Sequence, residues 1–262
     1  MSAAKSKGKW PLAHTKVDLN SDTNLLKLVA MLTMLIDHTG KMFFKSNLMR
    51  IIGRMAFPIY AYCIAAGCVY TKNHVKYLNR LVLTGLISQP FYAVALGHTY
   101  PSMYTIAFAD NPVGAVVNFY VQSWRHPSIF LTLTLGFLVI WTIQERQLVL
   151  TTALALLVWR LDTQIDYGWK GVLLMVLFYL FIDRWWLSLP VVLTYMLWIG
   201  LQGKSYRLFG VSFGIQGFAI MALPLIYIHT NSGLKINKWV YYLFYPGHVI
   251  GMLMIEMALG MV

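Results

Sequence analysis

Apolar segments of helical length recur along the whole chain of 262 residues, and they limit the folds it can adopt. Examples are LVLTGLISQPFYAVAL (81–96), IFLTLTLGFLVIWTI (129–143), GVLLMVLFYLFI (171–182) and VYYLFYPGHVIGMLMIEMAL (240–259). Most can be extended to the roughly 20 residues that cross a hydrocarbon core of about 30 Å. Charged residues make up only 11% of the chain, against roughly a quarter in a typical soluble domain. The sequence therefore predicts an integral membrane protein.

We expect an all-α fold, a polytopic transmembrane helical bundle of about nine spans, with nine to eleven possible. The predicted helices cover residues 25–44, 51–71, 81–97, 128–143, 148–161, 168–184, 185–201, 209–228 and 239–260. The connection at 98–127 is rich in aromatic residues and contains Pro and Gly, which predicts a partly ordered outer loop or a re-entrant segment. No internal repeat is present, so 25–262 is predicted to be one transmembrane domain after a basic tail at 1–24.

The distribution of basic residues predicts the orientation in the membrane. The tail is polar, holds four lysines and lacks the apolar stretch and cleavage site of a signal peptide, which predicts a cytoplasmic segment that frays. With the N-terminus inside, the outer loops receive Lys45, Arg125, Lys170, Lys204 and Arg207, whereas the inner loops receive seven basic residues, in agreement with the positive-inside rule. These are Lys72, Lys76, Arg80, Arg146, Arg184, Lys235 and Lys238. The predicted location is the cell membrane, multi-pass, with a cytoplasmic N-terminus.

Several function classes receive no support from the sequence. The net charge of +12 is explained by membrane topology and anionic lipid headgroups, so no nucleic-acid partner is predicted. Cys63 and Cys68 lie five residues apart in one apolar run, which indicates core packing rather than disulfides or a metal site. No nucleophile elbow, Walker A loop, HExxH motif or dinucleotide fingerprint occurs.

The segment AMLTMLIDHTGKMFF places Asp37 and His38 side by side within the first predicted span. Ionisable groups at membrane depth are costly and usually face a cavity or one another. Adjacent helical residues diverge by about 100°, so we expect Asp37 to reach Lys41 or Arg54 and His38 to meet a partner on another span. A neutral imidazole there can accept a proton. The alternative is a histidine that serves only helix packing.

Two further arginines and a late histidine extend this polar set. Arg50 and Arg54 are four residues apart and share a helix face, where a bound anion, a polarised carbonyl oxygen or Asp37 could satisfy their charges. His248 follows the Pro246-Gly247 interruption in YPGHVIGMLMIE, where a helix break frees backbone carbonyls. We expect the acid, imidazole and guanidinium of the first two spans to converge on one hydrated chamber.

The first inner loop, YTKNHVKYLNRL, brings Lys72, Lys76 and Arg80 close to the membrane. Such a cluster either sets topology or binds phosphate groups. A base, several cations and a buried cavity suit the transfer of an activated acyl group, in which arginine steadies the tetrahedral oxyanion. The same residues would suit proton-coupled transport, and a non-catalytic membrane scaffold is a third reading.

The segments LLKLVAMLTMLIDHTGKMFF, LMRIIGRMAFPIYAYCIAAGCVYTKNHVKYLNRLVLTGLISQPFY, IDYGWKGVLLMVLFYLF and FYPGHV resemble the TraX family of polytopic membrane proteins over most of residues 25–256. The resemblance implies an acetyltransferase that uses acetyl-CoA as co-substrate and modifies the N-terminal amine of a pilin-like peptide. It implies Asp37, His38 and Arg54 as catalytic residues. Members of the wider group also modify glycans, so an O-acyltransferase acting on a glycan is an alternative.

Two binding sets complete the sequence-based prediction. Substrate contacts are expected at Arg50, Tyr245 and His248. The phosphates of acetyl-CoA are expected at Lys72, Lys76 and Arg80, with the pantetheine arm threading inward from the cytoplasm, because the predicted topology puts His38 and Arg54 toward the outer half of the membrane.

Overall fold

The computed structural model of the chain describes residues 11–208 and 211–260, and within them the fold is all-α. The helices are α1 Thr23–Thr39, α2 Asn47–Gly53, α3 Ala56–Tyr70, α4 His74–Ala95, α5 Pro112–Ser123, α6 Ile129–Gln144, α7 Leu148–Arg160, α8 Gly168–Leu180, α9 Trp185–Leu201, α10 Leu223–Tyr227 and α11 Lys238–Ala258. A π-turn at Gly40–Phe44 follows α1, and 3-10 segments lie at Pro101–Tyr104 and Ile215–Ala222. Strands β1 (Tyr206–Leu208) and β2 (Val211–Phe213) form an antiparallel hairpin.

Helix α3 lies at the centre of the bundle, because most of its residues are buried. It packs against α1, α6 and α8, while α4 packs against α6 and α11. Small residues such as Ala61, Ala65 and Ala66 are fully buried on α3 and let its neighbours approach closely. This arrangement brings the C-terminal helix α11 beside both α4 and α1, although α1 begins more than 200 residues earlier in the sequence.

The structure confirms the all-α prediction but not the count of nine spans. Within the described residues, one continuous helical stretch, Asn47–Tyr70, has both the length and the composition to cross a membrane. The other apolar helices identified there are shorter. The predicted helix at 209–228 is wrong for its described part, where β2, a 3-10 segment and α10 follow one another.

The outer surface of the bundle is strongly apolar, as the composition predicted. On α7, Val149 is 87% exposed and Trp159 is 70% exposed, and α11 presents Met254, Ile255 and Met257. Helices α4, α5 and α9 also carry exposed large apolar side chains. Water-soluble monomers rarely expose contiguous apolar patches of more than a few hundred Å². The surface is that of a protein surrounded by lipid.

The connection at 98–127, predicted to be a partly ordered outer loop or a re-entrant segment, contains a 3-10 segment and α5. Gln89 of α4 holds the C-terminal end of this connection in place. The fully buried Gln89 amide donates to the carbonyl oxygens of Ser123 at 2.7 Å and His126 at 2.9 Å, and accepts from the Ser128 N–H at 2.8 Å. The backbone groups freed between α5 and α6 are thereby satisfied inside the bundle.

The described part of the N-terminal tail, residues 11–22, packs against the bundle, so the prediction that the tail frays is wrong there; residues 1–10 lie outside the described residues. Leu19 and Asn20 are fully buried. The Tyr62 hydroxyl donates to the Asn20 carbonyl at 2.5 Å, and the Asn20 side chain donates to the Leu225 carbonyl at 2.8 Å. Asp22 then caps α1 by accepting from the Leu25 N–H.

Candidate active site

An ion pair joins α1 to the junction between α2 and α3. The Arg54 guanidinium donates from Nη2 to Asp37 Oδ1 at 2.5 Å, and its Nε donates to the Arg50 carbonyl at 3.1 Å. Arg50 Nε lies 3.9 Å from the same carboxylate oxygen and has no hydrogen-bond partner within the described residues. The structure thus places Asp37 between the two arginines, one of the arrangements that the sequence left open. One carboxylate shared by two guanidinium groups leaves a surplus of positive charge.

Gly53 allows this ion pair to form. A Cβ atom at position 53 would lie 2.2 Å from Asp37 Cβ and 2.6 Å from Asp37 Oδ1, far inside contact distance. Because the obstruction includes the Cβ of Asp37, rotation of the aspartate side chain would not relieve it. The absence of a side chain at position 53 lets α2 approach α1 closely enough for Arg54 to reach the carboxylate.

The second part of the site is a pair of histidines from α1 and α11. His38 Nδ1 and His248 Nε2 are 2.9 Å apart, and His248 Nδ1 lies 2.9 Å from the Phe244 carbonyl oxygen. A carbonyl only accepts hydrogen bonds, so in the neutral pair His248 carries its proton on Nδ1 and accepts at Nε2. His38 then donates from Nδ1, and its own Nε2 retains a lone pair. This arrangement makes His38 Nε2 a candidate proton acceptor.

Aromatic side chains surround the histidine pair. Phe244 stacks on His248 at 4.8 Å between ring centroids, and Tyr245 meets the same ring edge-on at 5.3 Å. Phe130 of α6 in turn contacts Tyr245 at 4.8 Å. His38 is only 8% exposed. These rings restrict water around the imidazoles and fix the orientation of His248.

The ion pair and the histidine pair belong to one electrostatic environment. Asp37 and His38 are consecutive residues of α1, so the ion pair at Asp37 and the histidine pair at His38 are adjacent. Lys41, on the π-turn after α1, donates to the Leu96 carbonyl at 2.9 Å, so the predicted alternative of a direct Asp37 contact with Lys41 does not occur. The structure therefore brings Asp37, His38, Arg50, Arg54 and His248 together.

A further polar contact joins α4 to the segment before α8. The Tyr92 hydroxyl donates to Asp166 at 2.9 Å, and the charges of Lys41 and Arg54 reach the Asp166 carboxylate. His98, in the connection after α4, stacks on Tyr92 and has its pKa lowered to about 4 by burial and, to a smaller extent, by Lys41. His98 is therefore neutral at pH 7.

A cavity of about 320 Å³ runs between α1, α3, α4, α6 and α11; we call it the donor cavity. Its lining holds the cations Lys27, Arg80 and Lys238 but no carboxylate. The other lining residues are Asn24, Met34, Tyr60, Cys63, Ile64, Gly67, Tyr70, Thr71, Tyr77, Leu81, Ile129, Phe130, Leu133, Ile236, Tyr241, Tyr242 and Tyr245. The cavity therefore combines an anion-attracting set with apolar walls.

The donor cavity leads toward the histidine pair. Tyr245, which borders it, packs edge-on against His248, and Met34 lies one helical turn before His38 on α1. Lys27 is 11 residues before His38, or about 16 Å along the helix axis. A ligand held by Lys27 and its neighbouring cations could thus extend an apolar arm toward the imidazoles.

Of the three residues predicted to bind the phosphates of acetyl-CoA, the structure brings only Arg80 to this cavity. Lys72 and Lys76 are exposed and do not border it. Lys27 and Lys238 line the cavity instead. Neither was predicted as a phosphate ligand, because Lys27 is a single lysine in an apolar helix and Lys238 was assigned to membrane topology. Within the described residues, no group of three or more His, Cys, Asp or Glu side chains is placed to hold a metal ion.

Comparison with known sequences decides the family. The profile of the TraX protein family matches residues 22–256, a range that includes every predicted site residue. The chain belongs to the TraX family. It is also 27% identical over 240 residues to the probable fimbrial assembly protein FimC, serogroup H1, of Dichelobacter nodosus, covering 86% of this chain and 91% of that protein. No solved structure matches the chain significantly. The TraX match confirms the resemblance seen in the DH, GRxxFP, YTxN and DYG segments.

Proposed function

We propose that the chain is a membrane acetyltransferase that moves an acetyl group from acetyl-CoA to an acceptor amine, the N-terminus of a peptide or pilin-like protein. The observation that carries the proposal is the donor cavity, which is lined by three cations and by Tyr245, the residue that packs edge-on against His248 of the buried histidine pair. Membership of the TraX family and similarity to a fimbrial assembly protein support an acceptor connected with pilus assembly.

The donor cavity suits the two chemically different ends of acetyl-CoA. The phosphates would lie at Lys27, Arg80 and Lys238, where no lining carboxylate competes for the cations. The neutral pantetheine arm would follow the apolar walls toward Tyr245. A volume of about 320 Å³ is at the small end of the range for ligand sites, which agrees with an arm held inside and a nucleotide held at the mouth.

The histidine pair would supply the base. The acceptor nitrogen attacks the thioester carbonyl carbon, a C–N bond forms, and His38 Nε2 takes the proton that the nitrogen loses. The tetrahedral oxyanion then collapses, the C–S bond breaks, and the CoA sulfur leaves with the proton returned by His38. Through its hydrogen bond, His248 would keep the accepting nitrogen of His38 unprotonated before the reaction.

The arginines would steady the developing negative charge. Asp37 neutralises one of the two guanidinium groups, so the second positive charge is available to an oxyanion. Arg50, whose Nε is buried without a hydrogen-bond partner in the described residues, is the better candidate for this contact. Arg54, bonded to both Asp37 and the Arg50 carbonyl, would position it.

We further propose a multi-pass arrangement in the cell membrane with the N-terminus in the cytoplasm. Lys27 and the N-terminal ends of α4 and α11, which carry Arg80 and Lys238, meet at the donor cavity. A cytoplasmic N-terminus puts this basic opening on the side of the membrane where acetyl-CoA is found.

The proposal is tested with the purified full-length chain in detergent and radiolabelled acetyl-CoA. A short peptide with a free N-terminus should become labelled at its terminal nitrogen, and the same peptide with a formylated N-terminus should not. Label appearing on the oxygen of an added disaccharide instead would favour the glycan O-acyltransferase. Solute flux in liposomes with no acetylated product would contradict the enzyme and favour the proton-coupled transporter.

A further inference from the structure

A second cavity, of about 440 Å³, has no part in the donor site. It lies between the N-terminal ends of α3 and α8, the C-terminal end of α9 and the 3-10 segment Ile215–Ala222; we call it the lateral cavity. The donor cavity borders α3 from Tyr60 onward, whereas the lateral cavity borders it at Phe57 and Pro58. The lateral cavity therefore opens on a different part of α3, next to the junction that carries Arg54.

Tyr167 connects the lateral cavity to the charged cluster. Its ring borders the cavity and stacks on Phe57 at 3.8 Å between centroids and 10° between planes. Phe57 lies three residues after Arg54, one helical turn along the chain, which places the stacked pair next to the junction that carries the ion pair. Tyr167 has a left-handed backbone with φ of 62°, and such backbone conformations are concentrated at functional sites.

The close packing around Tyr167 fixes this connection. A Cβ at Gly171 would lie 2.7 Å from Tyr167 Cβ and 2.9 Å from Phe57 Cζ, so α8 tolerates no side chain there. The stacked pair is therefore held in place between α3 and α8, where both of its rings border the lateral cavity.

The lining of the lateral cavity indicates the chemistry of its occupant. Apolar side chains predominate, among them Leu174, Met196 and Ile199. Gln202 and Gln216 supply amides that both donate and accept hydrogen bonds, which is the requirement of a peptide backbone. No carboxylate borders the cavity, and Lys170 is hydrogen-bonded to Gln202. The lateral cavity thus has apolar walls with two amides, one lysine and one serine. Such a lining favours a peptide with apolar side chains over a polyhydroxylated sugar.

From these observations we infer that the lateral cavity binds the first residues of the acceptor peptide. The apolar side chains lie against α8 and α9, the amides of Gln202 and Gln216 hold the backbone, and the terminal amine passes Tyr167 toward Asp37 and His38. The inference rests on the proposed acetyltransferase function. It adds that the acceptor peptide enters through the lateral cavity, whereas acetyl-CoA binds in the donor cavity.

Site-resolved alkylation tests the inference in a single variant, Ser205→Cys. The introduced thiol borders the lateral cavity; natural Cys63 and Cys68 are both buried, and Cys63 borders the donor cavity whereas Cys68 borders neither cavity. Each thiol is followed by mass spectrometry during treatment with a small alkylating reagent. The added ligands are acetyl-CoA, a short peptide with apolar N-terminal residues, and a disaccharide. Ser232→Cys, in an exposed loop away from both cavities, is the control for reagent quenching.

The peptide should slow alkylation at the Ser205→Cys thiol and leave Cys63 unchanged, while acetyl-CoA should slow alkylation at Cys63. Protection of Cys63 by acetyl-CoA without any protection of the Ser205→Cys thiol by peptide would overturn the inference and leave the proposed function standing. Protection by the disaccharide alone would overturn the peptide assignment. If peptide protects and acetyl-CoA does not, the lateral cavity is supported and the proposed donor site fails.

Steady-state kinetics provide a second readout. Gln216→Leu should raise the KM for the peptide about tenfold, the effect of losing a backbone hydrogen bond, and leave the KM for acetyl-CoA unchanged. Gln147→Leu, at the exposed N-terminus of α7, is the matched control and should change neither. An unchanged peptide KM in Gln216→Leu would contradict a backbone contact at this amide.

Discussion

At the scale of single residues, the site depends on which nitrogens carry protons. The Phe244 carbonyl determines the tautomer of His248, and His248 in turn determines that of His38. The sequence identified both imidazoles and anticipated the pairing of Asp37 with Arg54. It could not predict that His38 bonds to His248, because their proximity depends on how α11 packs beside α1.

We predict that His248 acts as a positioning residue. His248→Leu should lower kcat by roughly 10²-fold, because His38 loses the partner that fixes its tautomer, while the dissociation constant for acetyl-CoA stays within about twofold. His248→Gln should recover part of the rate, since an amide oxygen can accept from His38 Nδ1. Equal losses in both variants, measured by initial rates at saturating substrates, would contradict the assignment.

We predict that Asp37→Asn destabilises the folded chain. Arg54 is 8% exposed, so removing its carboxylate partner leaves a buried charge uncompensated, at a cost of about 3 kcal/mol. Thermal unfolding in detergent should show a lower midpoint, and the transfer rate should fall as well. Asp110→Asn, in an exposed loop, is the control and should leave the midpoint unchanged. A wild-type midpoint in Asp37→Asn would show that the ion pair contributes little.

At the scale of helices and turns, hydropathy located continuous helices well and irregular segments poorly. The predicted 128–143 and 185–201 closely match α6 and α9. The predicted 209–228 failed because this segment is apolar but not a continuous helix. Gly203 and Gly214 pack so closely that a Cβ on Gly203 would lie 2.3 Å from Gly214 Cα. Hydropathy does not register such backbone contacts, so it does not separate a buried irregular segment from a helix.

The approach of α2 to α1 provides a prediction at this scale. Gly53→Ala should lower stability by about 1–3 kcal/mol, because the added methyl displaces Asp37, and should lower the transfer rate through the disturbed ion pair. The matched control is Gly251→Ala in α11, where a Cβ meets no atom within 4 Å. Thermal unfolding of Gly53→Ala should therefore have a lower midpoint than that of Gly251→Ala. Equal midpoints would contradict a steric role for Gly53.

At the scale of the whole molecule, the donor cavity gathers side chains from helices that are distant in sequence. Lys27 belongs to α1, Arg80 to α4 and Lys238 to α11. In the sequence, a cluster of basic residues was visible only within one loop. For that reason Lys72 and Lys76 were predicted to bind the phosphates. The positions of Lys27 and Lys238 relative to Arg80 follow from the packing of α11 against α1 and α4.

The cavity geometry predicts which cations hold acetyl-CoA. Lys27→Gln combined with Lys238→Gln should weaken acetyl-CoA binding by at least about tenfold, the effect of losing charge-assisted contacts to phosphate. Lys72→Gln combined with Lys76→Gln removes the same charge outside the cavity and should change the dissociation constant less than about twofold. Isothermal calorimetry measures both. A larger loss of acetyl-CoA affinity on replacing Lys72 and Lys76 than on replacing Lys27 and Lys238 would instead assign the phosphates to Lys72 and Lys76.

The most direct test of the account is the single-turnover rate of acetyl transfer to a free peptide amine by His38→Ala, at saturating acetyl-CoA and with binding checked separately. If His38 Nε2 is the base, the rate should fall by about 10²–10⁴-fold while acetyl-CoA binds as in the wild type. A His38→Ala rate within a few-fold of the wild type, with the same binding, would contradict the account.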